Sequence, residues 1–184
     1  MSGAHARRRA GRAWRLVGWA VVVLAVLALT AFLTVGANGP EDPILGGIPG
    51  FGEVAFRVAP AGGGPPTSAE FCALLAADDT QRARGLMGRR DLAGFDAMVF
   101  RFDQDHTGAF IMRNVPVPLS IAWFDSSGAF VSSTDMPPCP DQEGCPEYAA
   151  AGPYRLAVET LQGGLEPLGL GPGSRMDVGG PCGG

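Results

Sequence analysis

The stretch SIAWFDSSGAFVSSTDM, residues 120–136, predicts a β-hairpin and with it the fold class of the chain. Segments 120–125 and 129–136 are rich in the apolar, aromatic and β-branched residues that are typical of strands. The Ser-Ser-Gly segment between them, 126–128, is typical of a short turn that joins antiparallel neighbours. We therefore expect antiparallel β-structure around this hairpin.

Other strand candidates lie on both sides of the hairpin. Four runs joined by short polar connections predict an antiparallel meander, at 96–102, 108–114, 120–125 and 129–136. Further apolar or alternating runs lie at 53–60, 69–77, 154–161 and 174–178. The predicted fold class is mainly antiparallel β within the α+β class, as a compact sheet or barrel-like meander with one short helix.

The arginine-rich stretch RARGLMGRRDLAGF, residues 82–95, is expected to contain the end of that helix. A residue of the segment 78–80 can cap the start of the helix, and Gly88 is expected to end it. The apolar pair Leu86 and Met87 would then close one end of the sheet. Three arginines are expected to face water: Arg82, Arg89 and Arg90.

An apolar segment near the N-terminus predicts a membrane anchor. Residues 16–36 carry no charge, and a helix of this length at about 1.5 Å per residue spans one bilayer. The basic leader 1–15 favours a cytoplasmic N-terminus and an extracytoplasmic domain. The Gly- and Pro-rich stretch 37–52 predicts a flexible linker before a globular domain at 53–184. The alternative is a cleaved secretory signal, and the domain leaves the cytoplasm in both cases.

The composition after the leader excludes several classes of function. This part holds nine arginines against eighteen acids, a charge that repels phosphate backbones, so no nucleic acid is expected as a partner. The chain contains no lysine, which excludes Schiff-base chemistry and a phosphate-loop lysine. His106 is the only histidine outside the leader, so a zinc site with two histidines is excluded as well.

Four cysteines are expected to form disulfides in an oxidising compartment. Cys139 and Cys145 bracket the turn-rich segment PDQEG, which can fold back and bring the two sulfurs together. Cys72 and Cys182 then pair as the remaining two. In the alternative, these last two remain free, either buried or in a mobile end of the chain.

Four short blocks resemble a known family when they are taken together. They are RGLM at 84–87, AFIMRN at 109–114, PL at 118–119, and MPPC followed by CP within 136–146. In this order and spacing they resemble the domain of unknown function 192 family, over roughly residues 53 to 178. The resemblance implies a compact, mainly antiparallel β fold with a short helix, often exported. It implies no established activity and no cofactor.

Five residues in these blocks are predicted to bind a ligand: Arg84, Met87, Met112, Arg113 and Asn114. Arg84 offers five donors in a fixed fork, and Asn114 offers both a donor and an acceptor. In the alternative, Arg84 pins a loop through an acid such as Asp135 or through backbone carbonyls, and Asn114 holds a turn.

Two further patterns bear on metal binding and catalysis. Thioether and imidazole ligands suit Cu(I), but methionines on alternating strands are more often core residues, so neither a metal nor a cofactor is predicted. The residues concerned are Met87, Met98, Met112, Met136 and His106, the last of which is expected in a solvated turn. Two carboxylate pairs are candidates for acid–base chemistry: Asp103 with Asp105, expected in one turn, and Asp125 with Asp135.

The sequence therefore favours a membrane-tethered extracytoplasmic module that binds an envelope ligand or a protein partner. No nucleophile motif such as G-x-S-x-G is present, and no catalytic residue is assigned. The alternative is a hydrolase-like envelope enzyme that uses carboxylates in a cleft. A partly buried pair of acids beside a pocket would favour the enzyme, whereas a groove with arginine and amide donors would favour binding.

Overall fold

The computed structural model describes residues 48–62, 69–140 and 144–183. The predicted leader 1–15, the predicted anchor 16–36 and most of the predicted linker lie outside these residues. Among the described residues, none of the helices has the length and apolar character that crossing a bilayer requires.

Strands dominate the described part of the chain. Seven strands form one sheet in the order β6-β5-β8-β3-β2-β1-β9, and β4 pairs separately with β7. The elements are β1 (Gly52–Ala59), β2 (Phe71–Ala76), α1 (Asp79–Arg84), β3 (Ala97–His106), β4 (Phe110–Ile111), β5 (Leu119–Phe124), β6 (Phe130–Met136), β7 (Glu147–Tyr148), β8 (Tyr154–Leu161) and β9 (Arg175–Val178). The predicted mainly β fold with one short helix is confirmed.

The hairpin that the sequence predicts is formed by β5 and β6. Its turn is held by the carboxylate of Asp125, which accepts hydrogen bonds from the backbone N–H of Ser127 at 2.8 Å and of Ala129 at 3.0 Å. Gly128 has a φ of 77°, in the left-handed region that favours glycine. The turn chemistry therefore fixes the register in which Leu119 faces Met136.

The predicted meander is wrong in its strand order. β8 lies between β3 and β5, so the strands that follow one another along the chain are not all neighbours. The segment 108–114 contributes only the two-residue strand β4, which pairs with β7. β2 and β3 are parallel, because the connection between them contains α1 and is long enough for a crossover.

The short helix begins as predicted and ends earlier. Asp78 caps it, and its carboxylate accepts from the backbone N–H of Gln81 while the Gln81 side chain accepts from the backbone of Asp78. The helix ends at Gly85, where φ is 44°, and not at Gly88. Gly88 belongs to the following turn, in which its N–H donates to the Asn114 carbonyl at 2.7 Å.

Both faces of the main sheet are buried. The sheet curls so that its two edges meet: the N–H of Phe130 donates to Ser174 at 3.0 Å, and the N–H of Met176 donates to Gly128 at 2.7 Å. One apolar cluster draws residues from all seven strands and fills the inside of this curl, for example Phe56, Val99, Phe124, Val158 and Met176. The second cluster lies on the outer face, where loops cover it with Leu86, Leu92, Phe95, Met112 and Val115.

Both predicted disulfides are present. Cys139 and Cys145 are bonded with their Cα atoms 5.9 Å apart, and Cys72 and Cys182 are bonded with their Cα atoms 5.4 Å apart. Since Cys72 lies in β2 and Cys182 lies near the end of the chain, the second bond ties the tail to the sheet. Disulfides of this kind are typical of proteins in oxidising compartments.

The two disulfides are expected to contribute unequally to stability. Loop-closure entropy predicts about 4–5 kcal/mol for the bond that spans a separation of 110 residues and about 2 kcal/mol for the bond that spans 6. Replacing Cys72 and Cys182 together by Ala should lower the free energy of unfolding more than replacing Cys139 and Cys145. Urea unfolding of both double variants measures the difference, and an equal loss would contradict the entropic account.

Candidate ligand-binding groove

A groove of about 1010 Å³ opens on the outer face of the sheet, beside the end of α1. We call it the outer groove. One wall comes from α1 and the turn after it, and the other comes from the end of β3 and the segment 109–115. Its lining includes Arg82, Arg84, Met87, Phe100, Phe102, Asp103, Asp105, His106, Phe110, Ile111, Arg113, Tyr154 and Glu159.

The outer groove brings together three of the five predicted ligand-binding residues. Arg84 and Met87 line the wall that follows α1, and Arg113 lines the wall formed by the segment 109–115. Met112 does not, because its side chain is 1% exposed and packs in the outer-face core. Asn114 also lies outside the lining of the groove.

Asn114 holds a turn, as the alternative interpretation of its sequence position predicts. Its φ is 59°, a left-handed conformation that asparagine tolerates better than most residues. Its N–H donates to the Cys139 carbonyl at 3.1 Å, and its carbonyl accepts from Gly88. The residue therefore joins the turn after α1 to the loop of the Cys139–Cys145 disulfide.

The arginines of the groove differ in how far their donors are used. Nη1 of Arg84 donates to the Pro49 carbonyl at 3.0 Å, and its guanidinium lies over the Phe51 ring at 5.3 Å. This contact matches the predicted loop-pinning role, yet the other described residues accept no hydrogen bond from the remaining donors of Arg84. No side-chain hydrogen bond or ion pair engages the exposed guanidinium of Arg113 among the described residues.

Arg82 does not simply face water, which corrects the prediction for this residue. Its Nη1 donates to the carbonyls of Ala77 at 2.6 Å and Arg101 at 2.8 Å, so it ties the helix to β3. Its guanidinium also pairs with Asp79 and lies 4.9 Å from the centre of the Phe102 ring. These contacts leave Arg82 as part of the wall of the groove.

Aromatic rings form much of the inner surface of the groove. Phe100 and Phe110 meet edge to face with centroids 5.0 Å apart, and Tyr154 donates its hydroxyl to the Gly108 carbonyl at 2.6 Å. Burial raises the pKa of Tyr154 to about 12. His106 is exposed but belongs to β3, where its ring stacks on Phe102 at 4.3 Å, so the predicted solvated turn is wrong.

The methionines of the copper hypothesis are mostly core residues. Met98, Met112 and Met136 are at most 1% exposed and pack in the outer-face cluster. Met87 is half-buried and lines the groove, on the opposite wall from His106. The packing therefore follows the core interpretation that the sequence favours.

A buried acid lies at the floor of the groove. Glu159 is 6% exposed and stands in β8, between Met98 of β3 and Ile121 of β5 in register. Burial raises the pKa of its carboxyl group from 4.5 to about 8. No hydrogen-bond donor among the described residues reaches this carboxyl group. Sequence reasoning missed Glu159, and the signal available was an acid directly after the apolar run 156–158 of a strand.

The first predicted carboxylate pair lies at the rim of the groove. Asp103 and Asp105 belong to β3 and not to a turn, because the strand continues to His106. Asp105 accepts from Nε of Arg155 at 2.8 Å, and both aspartates are exposed. They therefore lack the burial expected of an acid–base pair.

The second predicted carboxylate pair does not converge. Asp125 lies in the hairpin turn, whereas Asp135 faces Ser120 at the other end of β5. The hydroxyl of Ser127 lowers the pKa of Asp125, and the hydroxyl of Ser120 lowers the pKa of Asp135. Each aspartate is thus held in its charged form by its own partners.

The fold and the groove together define a curled β-sheet domain with an aromatic, arginine-lined groove on its outer face. A family model described as "Uncharacterized ACR", domain of unknown function 192, matches residues 64–178. This match covers more than half of the chain, so the chain belongs to that family, as its sequence blocks predict.

Two solved structures share this fold. One is a protein of Sinorhizobium meliloti 1021 described as a candidate transcription regulator, 25% identical, with a TM-score of 0.56 over 70% of this chain and 95% of that one. The other is a protein of unknown function from Novosphingobium aromaticivorans DSM 12444, 25% identical, with a TM-score of 0.56 over 77% of this chain and 94% of that one. No curated protein matches the chain.

Glu159 is expected to make stability depend on pH. Its pKa is about 8 in the fold against 4.5 as the reference value, so the unfolded chain gives up this proton first as pH rises. Burial of the protonated carboxyl group is therefore best tolerated below pH 4.5. The free energy of unfolding then falls by several kcal/mol as pH rises from 4.5 through 8. Glu159→Gln removes the titrating group and should flatten this dependence.

Urea unfolding at pH 5, 6.5 and 8 compares the two proteins. The exposed Glu166 provides a matched control, because Glu166→Gln makes the same chemical change away from the groove. If the free energy of unfolding changed with pH equally in the wild-type protein and in the Glu159→Gln variant, Glu159 would not be buried as described.

Proposed function

We propose that the chain is a membrane-tethered module outside the cytoplasm that binds a cell-envelope ligand in the outer groove. One observation carries this proposal: Arg84, Met87 and Arg113, which the sequence singles out, line one groove over an aromatic floor. Small-molecule sites are usually clefts with aromatic linings and a volume of up to about 1000 Å³, and the volume of this groove, about 1010 Å³, is close to that.

The available donors favour a ligand with an anionic or carbonyl group. None of the described residues binds the guanidinium of Arg113 through a side-chain hydrogen bond or ion pair, and Arg84 commits one of its nitrogens to Pro49. A guanidinium binds carboxylate or phosphate oxygens through two parallel hydrogen bonds. Aromatic rings line the same groove, and apolar surroundings of this kind strengthen an ionic contact.

The compartment is inferred from the cysteines and from the apolar segment. Two disulfides suit an oxidising location, and residues 16–36 supply a segment long enough to anchor the domain. The acidic composition after residue 36 disfavours nucleic-acid phosphates, so the role described for the protein from S. meliloti is not proposed for this chain.

An enzyme is the second candidate because of Glu159. A buried carboxyl group with a raised pKa has the property that a general acid needs near neutral pH. Hydrolysis by two carboxylates also needs a second acid beside the first, and the predicted pairs are exposed or lie apart. Binding is therefore the better supported function.

Benzoate serves as a small aromatic anion to test the binding of an anionic group. Titration of the full-length chain, followed by NMR, should shift the signals of groove residues, and Arg113→Gln should weaken binding about five- to tenfold. Arg90→Gln is the matched control, because Arg90 is exposed and does not line the groove.

Two outcomes would count against the proposal. In one, benzoate binds outside the groove or binds equally well to the Arg113→Gln variant. In the other, benzyl alcohol binds as tightly as benzoate, which would show that the groove accepts the ring but makes no use of the anion.

A further inference from the structure

Glu159 is a buried ionisable group with no hydrogen-bond partner among the residues that the structure describes. It is 6% exposed, lines the outer groove and receives no hydrogen bond from the described residues. Its neighbours across the sheet are Met98 and Ile121, which cannot donate to it. A buried polar group normally has a partner, because desolvation without compensation costs free energy.

The nearby polar groups do not bind Glu159: the buried indole N–H of Trp123 has no hydrogen-bond partner among the described residues, and two other donors are committed elsewhere. The hydroxyl of Tyr154 donates to the Gly108 carbonyl, and the guanidinium of Arg82 binds two backbone carbonyls and Asp79. Both residues line the same groove as Glu159, yet neither donates to it. None of these three groups donates to Glu159 in this structure, so a ligand group that enters the groove can supply the donor.

The groove combines aromatic rings and carboxylates, which are the groups that bind cations. The groove is lined by four acids, Asp79, Asp103, Asp105 and Glu159, and by three arginines, Arg82, Arg84 and Arg113, with His106 at its edge. Arg82 lies over the Phe102 ring and Arg84 over the Phe51 ring, so aromatic faces on this side of the sheet already pack against cations.

We propose that Glu159 binds the ammonium group of a ligand that carries a primary amine. An ammonium group supplies three N–H donors and also compensates the charge of the carboxylate. A hydroxyl or an amide would also satisfy an oxygen of Glu159, but it carries no positive charge to stabilise the ionised carboxylate. This inference deepens the proposed function, since it assigns a second group of the ligand in the same groove.

The binding step releases a proton. The free protein holds Glu159 mainly protonated at neutral pH, and the bound pair is a carboxylate with an ammonium, so the carboxyl proton leaves to solvent. Affinity should therefore rise with pH. With a pKa of about 8, the ionised fraction, and with it the affinity, grows up to about 50-fold between pH 6 and pH 8.

Benzylammonium is the probe, and benzyl alcohol is its uncharged counterpart. Calorimetry on the full-length chain at pH 6 and pH 8 should show that the affinity for benzylammonium rises with pH and that the affinity for benzyl alcohol does not. Glu159→Gln should lower the affinity for benzylammonium at least tenfold at pH 8 and abolish its pH dependence. Glu166→Gln should change neither.

Two further variants keep the test decisive. Glu159→Met removes both oxygens at similar volume, so it reports on the site if the Gln variant folds poorly. His106→Gln changes the histidine that lines the same groove and must keep the pH dependence if Glu159 is its source. Thermal unfolding of each variant confirms that it is folded.

Three results would overturn the inference. They are tighter binding of benzyl alcohol than of benzylammonium, wild-type affinity for benzylammonium in both Glu159 variants, and no binding of benzylammonium at pH 8. Binding of benzoate shows whether such a result also overturns the proposed function. If benzoate still binds in a way that depends on Arg113, only the amine assignment is lost.

Discussion

The pairing of β8 with both β3 and β5 is the interaction on which the rest of the structure depends. It joins the β5–β6 hairpin to the strands β1, β2 and β3, which would otherwise form a separate sheet. It also forces the segments between β3 and β5 and between β6 and β8 to cross the outer face. These crossings cover the second core and leave the outer groove at their edge.

The same pairing sets the position of the buried acid. Successive residues of a strand point to opposite faces, and the register of β8 aims Glu159 at the outer face together with its neighbours Met98 and Ile121. A carboxyl group without a partner there costs stability, which two disulfides and two apolar cores offset. Unfavourable buried groups are typical of sites where function outweighs stability.

Local features of the chain could be predicted from the sequence, and non-local pairing could not. The hairpin at 120–136, the strand 154–161 and the cap of α1 all follow from turn residues, alternation and capping residues within a few positions. Strand order depends on partners far apart in sequence, which no local pattern specifies. Among the groove residues, Arg84, Met87 and Arg113 could be predicted from the sequence. Glu159 could not, because its burial depends on which face of β8 the loops cover.

The most direct test of this account is the titration of the Glu159 carboxyl carbon by NMR in the full-length chain, with Glu159→Gln used for assignment. The account predicts an apparent pKa of about 8, because the side chain is buried and has no partner among the described residues. A pKa near the ordinary value of 4.5 would contradict it, since the carboxyl group would then be solvated or hydrogen-bonded and unavailable as the floor of a binding site.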